Sequence, residues 1–485
     1  MRMNSARTAS LIITLVLTFS SVVQDRRAQT RPGAGSSQIE AVSAWLAESA
    51  IPLKVLEAGN GFDDLQQLKP ILKDVRIVGL GEGTHGTHEF FQLKHRLLEF
   101  LVRGMGFTLL VMEGGYASSL PINDYVLSGT GDLSRILATY GAWPWDTKEV
   151  RDMIEWMRDF NKTVPEKRKV KFLGYDPDSD KYGGEVVTSY LKRVAPGKVG
   201  FAERAMRPVL SEPVRDLDLA VLLADNGRPG RSDHQKRMIR QRLDELSKYL
   251  ASRRVEFMKK TSVIEFERVL HCVRTIAQYN EIFGRPWVNS SDPTTSGIAV
   301  RDIRTSENVK RLLDSQEPGT RMMLWAHNGH IATGPILPSI PSLGSYLRRT
   351  FGRAYYAVGF GFDRGSFQAR NLDQDDSQFG AVVNFEIASA PQDSVEWFLA
   401  RPGLRNYFVD LRYVSRGGAV VEWLNSPREM RHLLGAGYSV KWPPSVYTRR
   451  IAPREYYDGL VFVEKTMRAQ PNPSGVRGPL QRASR

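Results

Sequence analysis

Apolar positions along this chain follow two alternating rhythms. Short apolar runs recur at residues 75–80, 107–112, 170–175 and 322–325. Bounded runs of that length read as strands buried on both faces. Between them, residues 89–103, 147–161 and 299–314 carry apolar side chains at helical spacing, and a further helix is expected over 38–49. Gly104 and Gly106 close the first of these helices. More strand-like runs follow at 355–362, 381–386, 407–411 and 459–463. Strand, helix and strand in succession imply parallel strands with right-handed crossovers. The expected class is α/β, a three-layer α/β/α domain with a mostly parallel sheet. A long charged helical stretch, about 185–285, interrupts the pattern and is expected to be an insertion forming a lid or wall over a site.

The flanks read differently. Arg2 and Arg7 precede an apolar run from Leu11 to Val23, and Gln24-Asp25-Arg26-Arg27 follows. Positive, apolar, polar is the order of a secretory signal, and the run falls short of the roughly 20 residues of a membrane span. No clean small-x-small cleavage site follows it. Residues 1–28 are therefore expected to be a signal peptide or an N-terminal anchor, with the protein exported to the periplasm or beyond. Residues 29–37 are expected to form a linker, 38–466 one large domain, and 467–485 a disordered basic tail.

The 67 Lys and Arg against 53 Asp and Glu give a formal charge of +14, which favours anionic surroundings. No basic stripe with interleaved aromatics accompanies it, so nucleic acid is not an expected partner. Cys272 is the only cysteine, which excludes an intrachain disulfide. It falls in an apolar helical pattern and reads as a buried thiol.

Five of the eight histidines lie in two short segments, each directly after a predicted strand: His85, His88 and His95 after the first, His327 and His330 after the fourth. Histidine changes charge near neutral pH and is the commonest metal ligand. Glu82, Glu113 and Asp176 also stand at strand ends. In a parallel sheet the carboxyl ends share one edge, where ligands bind. This convergent set of carboxylates and histidines suits water activation. A neutral His85 takes a proton while Glu82 or Glu113 orients it, and His327 or His330 donates to an oxyanion or a leaving alkoxide. His88 and His95 fall within the following helix and read as structural, as does Glu89 in its first turn. Trp143-Pro144-Trp145 reads as packing, or as lining an apolar pocket. His234, His271 and His432 stand apart. There is no nucleophile elbow, phosphate loop or zinc helix.

Gly79-Leu80-Gly81-Glu82-Gly83-Thr84-His85-Gly86-Thr87-His88-Glu89, then 107–114 with Glu113, then Trp325-Ala326-His327-Asn328-Gly329-His330 resemble, in order and spacing, the erythromycin esterase family, from about residue 40 to 466. The resemblance implies hydrolysis of a macrolide lactone by water, with no covalent enzyme intermediate, no cofactor and no required metal. By resemblance His85 is the general base, Glu82 and Glu113 orient it or the water, and His327 and His330 complete the site. Glu89, Lys94, Asp176 and Trp143 are the expected substrate-binding residues, Lys94 standing where some members carry Arg. Two other readings remain open. One is a metallohydrolase using His85, His327, His330 and a Glu. The other is an exported non-enzymatic binder of haem or another small ligand, since a related fold occurs in a haem-iron-binding group.

Overall fold

In the computed structural model, residues 35–472 are described apart from 141–142, 180, 212–230, 283–284, 286–291, 374 and 415–417. The expected signal or anchor at 1–28 lies outside the described residues. Among the described residues no helix is long and apolar enough to cross a membrane.

The strands, in chain order, are β1 (Ile51–Pro52), β2 (Ile77–Leu80), β3 (Leu109–Gly115), β4 (Lys171–Asp176), β5 (Met322–Trp325), β6 (Pro335–Leu337), β7 (Ile340–Pro341), β8 (Tyr355–Asn371), β9 (Val382–Ile387), β10 (Asn406–Asp410), β11 (Arg428–Met430), β12 (Gly437–Tyr438), β13 (Arg449–Ile451) and β14 (Gly459–Thr466). Ten of them form one sheet with the order β1-β10-β14-β8-β2-β5-β3-β4, and β9 and β12 pair with β8. From β14 to β4 all neighbours are parallel, whereas β1, β10 and β9 join antiparallel. β6 pairs with β7, and β11 with β13, as separate ribbons.

The central strands are short because they are buried on both faces. Ile77, Leu109 and Val111 feed one core, while Val78, Leu80, Leu110 and Met112 feed the other. Helices His88–Met105 and Lys148–Lys162 cover the second face. Helices Ser36–Ser49, Gly297–Asp314 and Leu343–Phe351 contribute to the first. This is the expected three-layer α/β arrangement. β2 and β3 are parallel, as the strand-helix-strand pattern requires, but β5 lies between them. β8 runs nine residues beyond the apolar stretch that announces it, because from Gly365 on it pairs with β9 and β12 beyond the end of β14.

The helical stretch is built from Lys181–Val194, Val199–Leu210, Asp233–Ser252, Arg254–Lys260 and Val263–Ile282. It packs against helices Tyr116–Ser128 and Gly297–Asp314. Cys272 is buried there. At the other extreme, residues 467–472, expected within the tail, lie along the body: Thr87 bridges Arg468 and Thr147 bridges Pro471.

Candidate active site

Adjacent parallel strands bring their carboxyl ends to one edge, and the residues there fall into two hydrogen-bonded groups. The first follows β2. The loop after Leu80 turns under β8, with the Gly81 N–H donating to the Val358 carbonyl at 2.8 Å. A Cβ on Gly81 would meet the Asn328 amide oxygen at 2.1 Å, so only glycine fits. Glu82 is fully buried. One carboxylate oxygen takes the His85 Nδ1–H at 2.5 Å. The other accepts from Lys94 Nζ at 2.6 Å and from the Trp325 indole at 2.9 Å. Lys94 also lies 4.3 Å from the centre of a Trp325 ring.

With Nδ1 committed to Glu82, His85 presents Nε2 as a base. Burial pulls the His85 imidazolium down, but the Glu82 hydrogen bond and the charges of Glu82 and Glu113 outweigh it, so its pKa lies above the ordinary histidine value. Burial lowers the Lys94 ammonium to about 8, against the pull of Glu82. The Trp145 ring stands edge-on to His85, centroids 5.7 Å apart, and its N–H donates to the Glu113 carbonyl at 2.6 Å.

The second group centres on Arg301, from helix Gly297–Asp314. Its guanidinium takes both oxygens of Asp176, at 2.9 and 2.8 Å, and Glu113 Oε1 at 2.8 Å. A further N–H donates to His330 Nε2 at 2.7 Å. Arginine has no acceptor, so His330 Nε2 carries the lone pair and its proton sits on Nδ1, which donates to Asp302 at 2.8 Å. The other Asp302 oxygen accepts from the Leu343 N–H. Both His330 nitrogens are thereby committed. Burial would raise the Glu113 carboxyl, but the Arg301 guanidinium beside it holds it ionised, well below the usual carboxylate range.

His327 joins the two groups. Its ring centroid lies 5.0 Å from that of His85. Its backbone N–H donates to Glu113 Oε2 at 2.8 Å, and its Nδ1 accepts from the Gly329 N–H at 3.2 Å. The ring proton therefore sits on Nε2, which is buried with no partner among the described residues. Burial and the nearby His85 hold His327 neutral, its pKa well below the ordinary value. The side chains of His85, Glu113, Asp176, Arg301 and His330 are each only 7–11 % exposed.

The structure thus brings together Glu82, His85, Glu113, Asp176, His327, His330 and Lys94. Glu89 instead accepts the Met467 N–H at 2.7 Å, and His88 binds Glu149 at 2.6 Å. Trp143 is buried, and it is Trp145 that meets His85. Arg301 and Asp302 are central to the geometry, yet the sequence pattern does not single them out, and Trp325 stands in the third motif without being an expected site residue. Asp302 reads from sequence as no more than the start of a helix, and a helical Arg carries no local signal. His432, set apart in the sequence, is fully buried and bonds the Tyr457 hydroxyl at 3.0 Å. Its Nε2 lies 3.5 Å from where a Cβ on Gly329 would stand. His271 is buried and pushed down to about 3 by burial, whereas His234 is exposed.

The donors do not assemble into a metal site. His85 Nδ1 serves Glu82, and a cation on His330 Nε2 would meet the Arg301 guanidinium. Among the described residues no group of three or more His, Cys, Asp or Glu is placed to hold a metal ion.

A family model described as erythromycin esterase matches residues 102–466, and the chain belongs to that family. The match begins after the His85 loop. The chain is 25 % identical over 384 residues to erythromycin esterase type II of Escherichia coli, covering 76 % of this chain and 88 % of that one. It is 24 % identical to YbfO of Bacillus subtilis (strain 168), a protein described as a hydrolase, over 96 % of this chain and 98 % of that one. A solved structure described as a succinoglycan biosynthesis protein shares the fold with a TM-score of 0.74 at 22 % identity, covering 90 % of this chain and all of that one. Family and relatives place the chain among the hydrolases.

Proposed function

We propose that the protein hydrolyses a carboxylic ester, with a macrolide lactone as the leading substrate, by direct attack of water. The observation that carries this reading is the commitment of the site's nitrogens. His85 offers a free Nε2 lone pair held in place through Glu82, and His327 offers an unpartnered Nε2–H beside it. His85 Nε2 removes a proton from water as the oxygen attacks the acyl carbon. The carbonyl oxygen becomes an oxyanion that accepts the His327 Nε2–H. As the tetrahedral species collapses, the ester C–O bond breaks and the imidazolium of His85 returns its proton to the leaving alkoxide. The ring opens to a hydroxy acid with net addition of one water. Glu113 and Arg301 set the charge and place the His327 backbone. Asp176 acts through Arg301 rather than on the substrate.

The name of the Escherichia coli relative and the motif resemblance support the macrolide assignment. The test is mass spectrometry of erythromycin, other macrolides and simple lactones incubated with purified protein, with the H85A variant as control and chelator in a parallel tube. Gain of one water, lost in H85A and indifferent to chelator, is the expected result. Gain of water that persists in H85A would remove His85 from the mechanism. Loss of activity with chelator would return the metallohydrolase reading.

A further inference from the structure

We propose that residues 467–472 form a strap that positions His85 by stitching together the two loops that touch it. One is the loop 82–88 that carries His85. The other, 145–149, carries Trp145, which stands against the His85 ring and holds the Glu113 carbonyl.

The stitches run in order along the strap. The Met467 N–H donates to Glu89 at 2.7 Å, and the Met467 carbonyl accepts the His88 N–H at 2.9 Å. The Ala469 N–H donates to the Gly86 carbonyl at 2.9 Å, and the same carbonyl takes the Gln368 N–H of β8 at 3.0 Å. Residue 86 lies next to His85, so the loop is clamped between strap and sheet. A Cβ on Gly86 would strike the Gln368 carbonyl at 2.1 Å. The strap then crosses to the second loop. The Gln470 carbonyl accepts the Lys148 N–H at 2.8 Å, and the Asn472 amide donates to Asp146 at 2.9 Å. Glu149 ties all three segments: its carboxylate takes His88 Nδ1 at 2.6 Å and the Gln470 N–H at 3.0 Å. Ala469 is fully buried between them.

Six extended residues without a sheet of their own have little reason to be held by so many bonds unless the bonds fix something. What they fix is the separation of His85 from Trp145 and Glu113. The strap also begins where the family match ends, at residue 466. Glu149 and Ala469 are positioning residues on this account, since neither reaches the reacting atoms.

Among the described residues, four ionisable groups face His85: Glu82 from its own loop, Lys94 from the next helix, Glu113 from β3 and His327 after β5. Loosening the loop weakens the Glu82 contact, and the His85 titration reports it directly. The experiment is NMR titration of ring-labelled histidine in the full chain, with H85Q used to assign the signal. It is run on wild type, E149A, E149Q and A469P, the last of which deletes the N–H that binds Gly86. In E149A and A469P the His85 midpoint is expected to fall by about half a pH unit or more, and E149Q, which keeps an acceptor for Gln470, to restore part of it. The rate readout rests on the proposed hydrolysis: with erythromycin as probe, kcat should fall about tenfold to a hundredfold with KM nearly unchanged. An unaltered His85 midpoint in folded E149A and A469P overturns the strap, whatever the substrate proves to be. If wild type leaves erythromycin intact while the midpoint shifts as expected, the substrate assignment fails and the strap stands. Should one variant not fold, the other decides.

Discussion

The two halves of the site use the same residue types to opposite ends. Around Glu82, one carboxylate is saturated by a lysine and an indole so that a single histidine is left with a free nitrogen. Around Arg301, a guanidinium is saturated by two carboxylates so that its histidine has no free nitrogen at all. The difference shows that proximity of a histidine to carboxylates does not make it a base. What decides is which of its nitrogens remains uncommitted.

The sharpest way to break this comparison is to exchange the histidines' importance. H85Q should lower turnover about a thousandfold, within the range a general base contributes, while leaving the unfolding transition in place. If H330Q matched that loss and H85Q did not, the halves would have been assigned the wrong way round. The next largest effect belongs to the Arg301 half and is one of stability. R301Q leaves Glu113 and Asp176 buried without their cation, and urea unfolding should show a loss of about 3–5 kcal/mol. Wild-type stability in R301Q would deny that half its structural role. E82Q sharpens the other side. Glu82 holds the His85 pKa up, so its neutralisation lets the free base persist to lower pH. The acid limb of the pH–rate profile should therefore move down, with kcat lower by about tenfold to a hundredfold. An acid limb fixed in place would show that His85 does not control it. The smallest effect is expected for K94M. The Lys94 charge opposes protonation of His85, so its removal should move the same limb up, by less than E82Q moves it down.

Much of this site is legible in the amino-acid sequence, for a definite reason. Glu82, Glu113, Asp176 and His327 occupy the far ends of short, largely apolar strands or the turns just after them. An interruption of hydrophobicity by chemically capable residues at such points is visible in one dimension. Arg301 and Asp302 are invisible as a site because they sit near the start of an amphipathic helix, where a charged residue has an ordinary solvated explanation. Only the three-dimensional placement of that helix against β4 turns them inward. Glu89 illustrates the converse. It has the look of a site residue through its neighbours in the motif, yet its carboxylate receives the backbone of Met467. The length of β8 is hidden in the same way, because its far half mixes buried and half-buried polar positions and lacks the unbroken apolar run that marks its beginning.

Gly81 carries a consequence for how such a site can change over generations. The Asn328 side chain that fills the space of the missing Cβ also exchanges two hydrogen bonds with the Phe360 backbone, at 2.8 and 3.0 Å. Neither position can be altered alone without cost: a methyl group at 81 evicts the amide, and a smaller residue at 328 leaves a peptide group of β8 unanswered. The two residues are 247 positions apart in the chain and form one unit of inheritance. Libraries that aim to redirect this scaffold should vary them jointly or leave both untouched.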